Sequence, residues 1–451
     1  MREDIQKRRR QRTRPRRLLL GLDGVPFDVI EAAKARGMFD QFGKPARLLS
    51  PFPTMTNIAL STMFRATPPP GYESLYFDNE AGELRGGISK YIGRRTPDKI
   101  PSSYMDELDY QEPLPFEFLV YIAPEKVCLA DFERFKERFR QAPPDRDYFA
   151  FLKATDGLLH IRGAENLLLM LRHLDKILRE LHGFCGEETE IILFSDHGMN
   201  LQENRRAPLQ THLRRAGFQL TNKLARTGER RVADGDGQIK NGVAIPAFGL
   251  CGYAALYCAD EDGTRNVADA LVGLEGVDFC LHRDGDAAVM VKGTRGTARI
   301  HLAKNEHSIG ADADGSRRCA RYRYEQLAGD PLSLAPIEEK LCEAGSIDKN
   351  GYACADAWSR ETAEHIYPDA LANLFGAVQT ARVLHTADVL VSFEDGYYFG
   401  AYIFSRFAPR LLATHSNALR ASASAFLMST HRQFPKSVRA ADAYTVFRGE
   451  P

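Results

Sequence analysis

The chain has 451 residues and a mass of 50.5 kDa, enough for two or three compact units at roughly 150 residues each. Its 44% hydrophobic, 27% charged and 10% aromatic residues fit a globular protein and exclude a disordered, collagen-like or disulfide-scaffold chain. Basic and acidic side chains are equal at 60 each, so overall charge gives no reason to expect nucleic acid or an anionic surface as the main partner.

The basic charge is concentrated at the start. Residues 1–17 hold nine Lys and Arg side chains against Glu3 and Asp4, leaving the rest mildly acidic. No aromatics interleave this arm, so it reads as a disordered, solvated tail rather than a nucleic-acid-binding device. Only Leu18, Leu19 and Leu20 follow before Gly21, too few for the roughly 7–15 apolar residues of a secretory signal. No apolar run approaches the roughly 20 residues of a membrane span. The eight cysteines (128, 185, 251, 258, 280, 319, 342 and 354) form no CxxC pair. They read as reduced, mostly core residues of a soluble cytoplasmic protein.

In chain order, residues 17–22 read as a short buried strand ending at the turn Asp23-Gly24, and Phe27 to Met38 as a helix. A second helix follows Pro53-Thr-Met-Thr56, with Ile58, Leu60, Met63 and Phe64 at helical spacing, and stops before Pro68. Thr56 is thereby placed near a helix N-terminus. Residues 100–148 read as connections with one helix around 130–140. Residues 164–182 carry a leucine-rich helical stripe, and 189–194 a buried strand. Between about 203 and 345 the texture changes to short strands at 252–258, 277–282, 287–291 and 297–302 and a helix at 265–274. The expected fold is α/β, a mostly parallel central sheet between helix layers with an inserted α+β cap. The expected segments are the arm (1–17), a first core part (18–202), the cap (203–345) and a second core part (346–451).

Ligands of open parallel sheets bind beyond the carboxyl ends of the strands. Asp23 follows the first strand, and Asp196 and His197 follow Ile191-Ile-Leu-Phe194. Asp156 and His160 precede the long helix, four residues apart and so on one face of a helical turn, and His415 lies in the C-terminal part. Three aspartates and three histidines are the donor chemistry that suits two zinc-like or manganese-like ions. A threonine hydroxyl such as that of Thr56 is a poor nucleophile, but a neighbouring divalent cation lowers its pKa and a helix N-terminus favours an incoming phosphate.

At these residues the sequence resembles the alkaline phosphatase superfamily, most closely its type I phosphodiesterase and nucleotide pyrophosphatase branch. The motifs are Leu22-Asp23-Gly24, Pro53-Thr-Met-Thr56, Asp156-Gly-Leu-Leu-His160, Ser195-Asp-His-Gly-Met199 and Ala413-Thr-His-Ser416, in the family's order over residues 18 to 416. The resemblance implies one metal held by Asp156, His160 and His415. It implies a second, held by Asp23, Asp196, His197 and the Thr56 oxygen, with Thr56 as nucleophile and a phosphothreonine intermediate. Two departures stand out: Asn57-Ile58-Ala59 follows the nucleophile where the branch has Phe-Pro-Asn, and His415 lacks flanking glycines.

The expected function is hydrolysis of a small-molecule phosphodiester with two divalent ions, zinc before manganese. A phosphomonoesterase, phosphonate hydrolase or phosphosugar mutase on the same core is the alternative, and a pseudoenzyme acting through the basic arm the non-enzymatic one. Thr54 rivals Thr56 as nucleophile or is a helix cap. Asn57 is a candidate phosphate contact. His301 and His307 sit in a polar stretch and read as surface histidines.

Overall fold

The computed structural model describes residues 16–87, 102–225, 241–303, 319–402 and 410–449. Two sheets organise them. The first contains β1 (Arg17–Leu22), β2 (Ala46–Leu49), β3 (Tyr110–Gln111), β4 (Tyr148–Leu152) and β5 (Glu190–Ser195). Two late strands, Ser424–Ser429 and Ser437–Arg439, complete it, and β1 lies between β4 and β5. Four of its six pairings are parallel, the antiparallel ones being those of Ser424–Ser429 with β2 and with β5.

Alternate residues of these strands serve opposite layers, which is why β1 and β5 read as continuous apolar runs. Leu18, Leu20, Leu22, Ile191 and Leu193 pack under the long helices α3 (Pro124–Gln141) and α4 (Ala154–Cys185), together with α1 (Phe27–Ala35). Leu19, Ile192, Phe194 and Leu427 face the other way, onto α2 (Thr56–Phe64) and Phe447. The central sheet is therefore buried between helix layers. Gly163, at φ +72° and ψ −175°, kinks α4, so that Asp156 and His160 occupy a short helical piece before the leucine stripe.

The second sheet has nine strands between Gln219 and Phe393, almost all antiparallel. Val389–Phe393 hydrogen-bonds to both Tyr253–Cys258 and Val277–Arg283, so the boundary expected at 345 falls between strands of one sheet. The strand expected at 252–258 is Tyr253–Cys258, and those expected at 277–282, 287–291 and 297–302 are Val277–Arg283, Ala288–Gly293 and Gly296–Leu302.

Three expectations need correction. Tyr148, read as the last residue of a connecting region, opens a strand of the central sheet, Tyr148–Leu152, in register with Leu18–Leu22. Arg16 and Arg17 are not part of a disordered arm: Arg17 opens β1 and pairs with Asp147 over 2.9 Å, while the Arg16 guanidinium lies 4.3 Å above the Phe139 ring. Residues 1–15 lie outside the described residues, as does His307. Finally, Cys319 and Cys354 are not reduced but joined in a disulfide. Pairing of Arg321–Gly329 with Ala353–Cys354 brings their Cα atoms to 5.7 Å across 35 residues, a proximity that no spacing motif records. The other six are free, all but Cys342 buried. Among the described residues no helix is long and apolar enough to cross a membrane.

Candidate active site

Each strand that runs into the site delivers a ligand-type side chain at its carboxyl end: Asp23 after β1, Asp196 and His197 after β5, and Asp156 and His160 four and eight residues after β4. The chain turns sharply after Asp23 because Gly24 takes φ +70°, and the Gly24 N–H then donates to Asp196 Oδ1 over 3.1 Å. After Asp196 and His197, Gly198 allows close approach of the segment before Ser424–Ser429, since a Cβ there would lie 2.3 Å from the Ala421 carbonyl oxygen. Thr56 is the first residue of α2, with Met55 as the residue before it.

These elements bring the expected residues together. Thr56 Oγ1 is 3.2 Å from Asp23 Oδ1 and 3.4 Å from His197 Nε2. His197 Nε2 in turn lies 3.3 Å from Asp196 Oδ2 and 3.5 Å from Asp23 Oδ1. Asp156 faces His160 Nε2 at 3.3 Å and His415 Nε2 at 3.5 Å. The His197 and His415 rings stack with centroids 4.0 Å apart. Two sets of ligand atoms each lie within 4.8 Å of one another, Asp156 with His197 and His415, and Asp23 with Asp196 and His197. His197 thus sits at the junction of the two, while His160 stands beside the first set through Asp156.

All three histidines are pinned through Nδ1. His160 faces the Ala413 carbonyl at 2.7 Å, His197 that of Gly198 at 3.0 Å and His415 that of Thr54 at 2.8 Å. A carbonyl only accepts, so Nδ1 carries the hydrogen, and in a neutral ring Nε2 then turns its lone pair toward the carboxylates. Outer hydrogen bonds of this kind are what orients histidine ligands of metal ions. Burial lowers His197 to about 4 and His415 to about 3, so both are neutral at pH 7 and their lone pairs face carboxylate oxygens. Among the buried side-chain oxygens, Asp156 Oδ1 and Asp196 Oδ2 have no hydrogen-bond partner. Acceptors facing acceptors around orphaned buried oxygens fit divalent cations, because a positive charge between them satisfies both.

The carboxylates respond to this crowding. Burial, then the charges of Asp196 and Asp156, raises Asp23 well above the ordinary value. Burial lifts Asp196 to about 6, against the Gly24 N–H, which favours the charged form. Burial acts on Asp156 in the same direction, but His160, followed by His415 and His197, holds it below the ordinary value. His160 is pushed down by burial and up by Asp156, with a net rise.

Two expected residues differ from the rest. The Asn57 amide is engaged with backbone, accepting from Ile58 N at 2.9 Å and donating to the Gly71 carbonyl at 3.3 Å. The Thr54 hydroxyl accepts from the Ser416 N–H at 2.8 Å and is fully buried. His301 belongs to the second sheet and pairs with Glu325 at 2.7 Å. Unforeseen are Ser416, whose Oγ lies 2.9 Å from His415 Nδ1, and the polar group Asn200, Asp395 and Asn417 behind the ligand loops. Asn200 follows directly on the Ser195–Met199 motif, whereas Asp395 had no signal in the sequence.

No protein-family model and no curated protein matches the chain. Solved structures do match. Phosphonoacetate hydrolase from Sinorhizobium meliloti 1021, in complex with phosphonoformate, is 14% identical, with a TM-score of 0.50 over 96% of this chain and 95% of its own. Murine ectonucleotide pyrophosphatase/phosphodiesterase 5 is 14% identical, with a TM-score of 0.44 over 96% and 94%. The likeness to phosphonoacetate hydrolase shows that the chain shares that protein's fold, a mixed α/β architecture around a mostly parallel central sheet.

Proposed function

We propose that the chain is a divalent-metal-dependent phosphoric ester hydrolase that acts on phosphodiesters, with Thr56 as the phosphoryl acceptor. The observation that carries this reading is the set of three Nδ1-pinned histidines whose Nε2 atoms converge with Asp23, Asp156 and Asp196 beside the Thr56 hydroxyl. In this reading Asp156, His160 and His415 hold one cation, and Asp23, Asp196, His197 and the Thr56 oxygen hold the other. When bound, zinc or manganese there would neutralise the phosphoryl oxygens and lower the pKa of the hydroxyl.

The chain's own residues supply the rest. The start of α2 directs the positive end of its dipole at Thr56, which favours an anionic phosphoryl group. The Thr56 hydroxyl donates to Asp23 Oδ1, so its proton has an acceptor as Oγ1 bonds to phosphorus and the ester oxygen leaves. Water then displaces the phosphoryl group from Thr56 and restores the hydroxyl. Burial of Asp23, His160, Asp196, His197 and His415, with Asp156 half-buried beside them, limits competing solvent and strengthens each electrostatic contact.

The likeness to phosphonoacetate hydrolase makes a phosphonate substrate the second reading. The Cys319–Cys354 disulfide is of a kind that persists in oxidising compartments, which counts against the cytoplasmic placement expected from cysteine spacing. The test is metal content together with turnover of bis-p-nitrophenyl phosphate, p-nitrophenyl phosphate and a phenylphosphonate ester, each with added Zn²⁺ or Mn²⁺. The expected result is two equivalents of metal and fastest turnover of the diester. Preference for the phosphonate would establish the second reading. No bound metal and no turnover, with salt-sensitive binding of polyanions, would overturn both.

A further inference from the structure

We infer that Asp395 is a positioning residue, a hydrogen-bond hub that sets the distance between the two histidine-bearing loops; the inference rests on the two-metal reading above. Asp395 lies two residues beyond the second-sheet strand Val389–Phe393. Its Oδ1 accepts from Asn417 Nδ2 at 2.9 Å and from Asn200 Nδ2 at 3.4 Å. Asn417 is two residues after His415, and Asn200 three after His197. One carboxylate oxygen therefore joins three segments, Asn200 being 195 residues before Asp395 and Asn417 being 22 after it.

The amides leave little freedom. Asn417 Nδ2 spends its second hydrogen on the Phe393 carbonyl at 3.0 Å, and Asn200 Nδ2 on Asn204 Oδ1 at 3.1 Å. The Asn200 side-chain oxygen accepts from the Thr414 N–H at 3.2 Å, while the Asn200 N–H donates to the Thr414 carbonyl at 2.8 Å. Thr414 immediately precedes His415, so Asn200 grips the second loop by its backbone as well as through Asp395. Asn200 and Asn417 are buried at 3% and 0% exposure, where an unmatched amide is costly and the network behaves as a unit.

None of these three side chains reaches the ligand set, so their effect on a metal ion passes through loop placement. Residues that orient metal ligands from outside typically change affinity by about 10- to 100-fold when removed. An acceptor oxygen is what the hub needs, and asparagine retains one. Asp395→Asn should therefore preserve function where Asp395→Ala does not.

The experiment is calorimetric titration of Zn²⁺ into metal-free wild type, Asp395→Ala, Asp395→Asn and Asn200→Ala, with the thermal midpoint of each metal-free protein. Zinc affinity is expected to fall about tenfold or more in Asp395→Ala and Asn200→Ala and to stay within about threefold in Asp395→Asn, at similar midpoints. Wild-type affinity in both alanine variants would overturn the inference and leave the two-metal reading intact. Loss of affinity only in proportion to a fallen midpoint would reduce Asp395 to general packing. If either alanine variant fails to fold, Asp395→Asn carries the test in reverse, because a tenfold loss there would show that charge and not the acceptor matters. Wild type that takes up no zinc would overturn the two-metal reading, and the inference with it.

Discussion

The Ser416 N–H donates to the Thr54 hydroxyl over 2.8 Å, and the Thr54 carbonyl accepts from His415 Nδ1 over 2.8 Å. Thr54 thus holds the histidine loop with both its side chain and its backbone, two residues before Thr56. It is not the helix cap, since α2 begins at Thr56 without a side-chain cap.

This division of labour predicts opposite outcomes at the two threonines. Thr56→Ala removes the hydroxyl beside Asp23 and should cut turnover by roughly 10³-fold or more with little change in thermal midpoint, while Thr56→Ser retains substantial turnover. Thr54→Val keeps the shape but orphans the buried Ser416 N–H, costing about 1–3 kcal/mol of stability. Steady-state kinetics and melting curves of the three variants check this, with acid-quench mass spectrometry of the wild type for phosphate on the 53–64 peptide. Phosphate on Thr54, or full turnover in Thr56→Ala, would reverse the assignment.

Ser416 stands in the left-handed region, at φ +89°, where the resemblance leads one to expect glycine. A side chain there costs about 1–2 kcal/mol in an L-residue. Ser416→Gly and Ser416→Ala both lose the hydroxyl at His415, so their comparison isolates the backbone. Glycine should be the more stable by about 1 kcal/mol, the reverse of the usual order. Denaturant titration of both decides it, and an alanine variant equal to or above the glycine one would show that the strain is absent.

These two residues also mark where the sequence stops being readable. Asp23, Asp156, Asp196 and His197 were legible because each stands beside an apolar run with its own periodicity, and the continuous burial of Leu18–Leu20 and Ile191–Phe194 follows from a sheet covered on both faces. Tyr148–Leu152 is harder to read because its five residues are short and close a Pro- and charge-rich stretch, although Pro143-Pro144-Asp145 marks a turn before it. The Thr54 to Ser416 bond spans 362 residues, and local propensity carries no trace of such a partner. The same holds for Asp395, which meets Asn417 and Asn200 through side-chain hydrogen bonds, and for Cys319 with Cys354, made adjacent by sheet pairing.

A pH effect should arise far from the ligand set. Asp131 in α3 is fully buried. Tyr110 OH donates to its Oδ1 over 2.6 Å, but Oδ2 has no hydrogen-bond partner. Burial raises its carboxyl from 3.8 to about 7, although Tyr110 opposes the rise. The folded chain then binds this proton more tightly than the unfolded one, so the stability it contributes is present below about pH 4 and is lost as pH rises to about 7. Asp131→Asn should raise the thermal midpoint at pH 8 and leave it little changed at pH 4. A midpoint at pH 8 below that of wild type would mean that the carboxylate is stabilised by something other than Tyr110.

Gly24 links the two halves of the site. Its N–H donates to Asp196 Oδ1 over 3.1 Å, its φ is +70°, and a Cβ built on it would lie 2.9 Å from Asp156 Oδ1 and 3.0 Å from Met199 Cε. Gly24→Ala therefore strains the backbone by about 1–2 kcal/mol and also displaces the oxygen of Asp156 that has no hydrogen-bond partner. Gly37 supplies the control. Its φ is +77°, and a Cβ there would meet nothing within 4 Å, so Gly37→Ala imposes comparable strain with no neighbour in the site. Both variants should lose similar stability, but only Gly24→Ala should lose zinc at limiting metal and turn over about tenfold or more slowly, the scale typical of a disturbed metal ligand. Metal analysis after gel filtration, kinetics with bis-p-nitrophenyl phosphate and melting curves for both variants make the comparison. Equal zinc content and turnover in the two would place Asp156 outside the metal centre, whereas loss in Gly24→Ala alone ties the turn after the first strand to the cation that Asp156 holds.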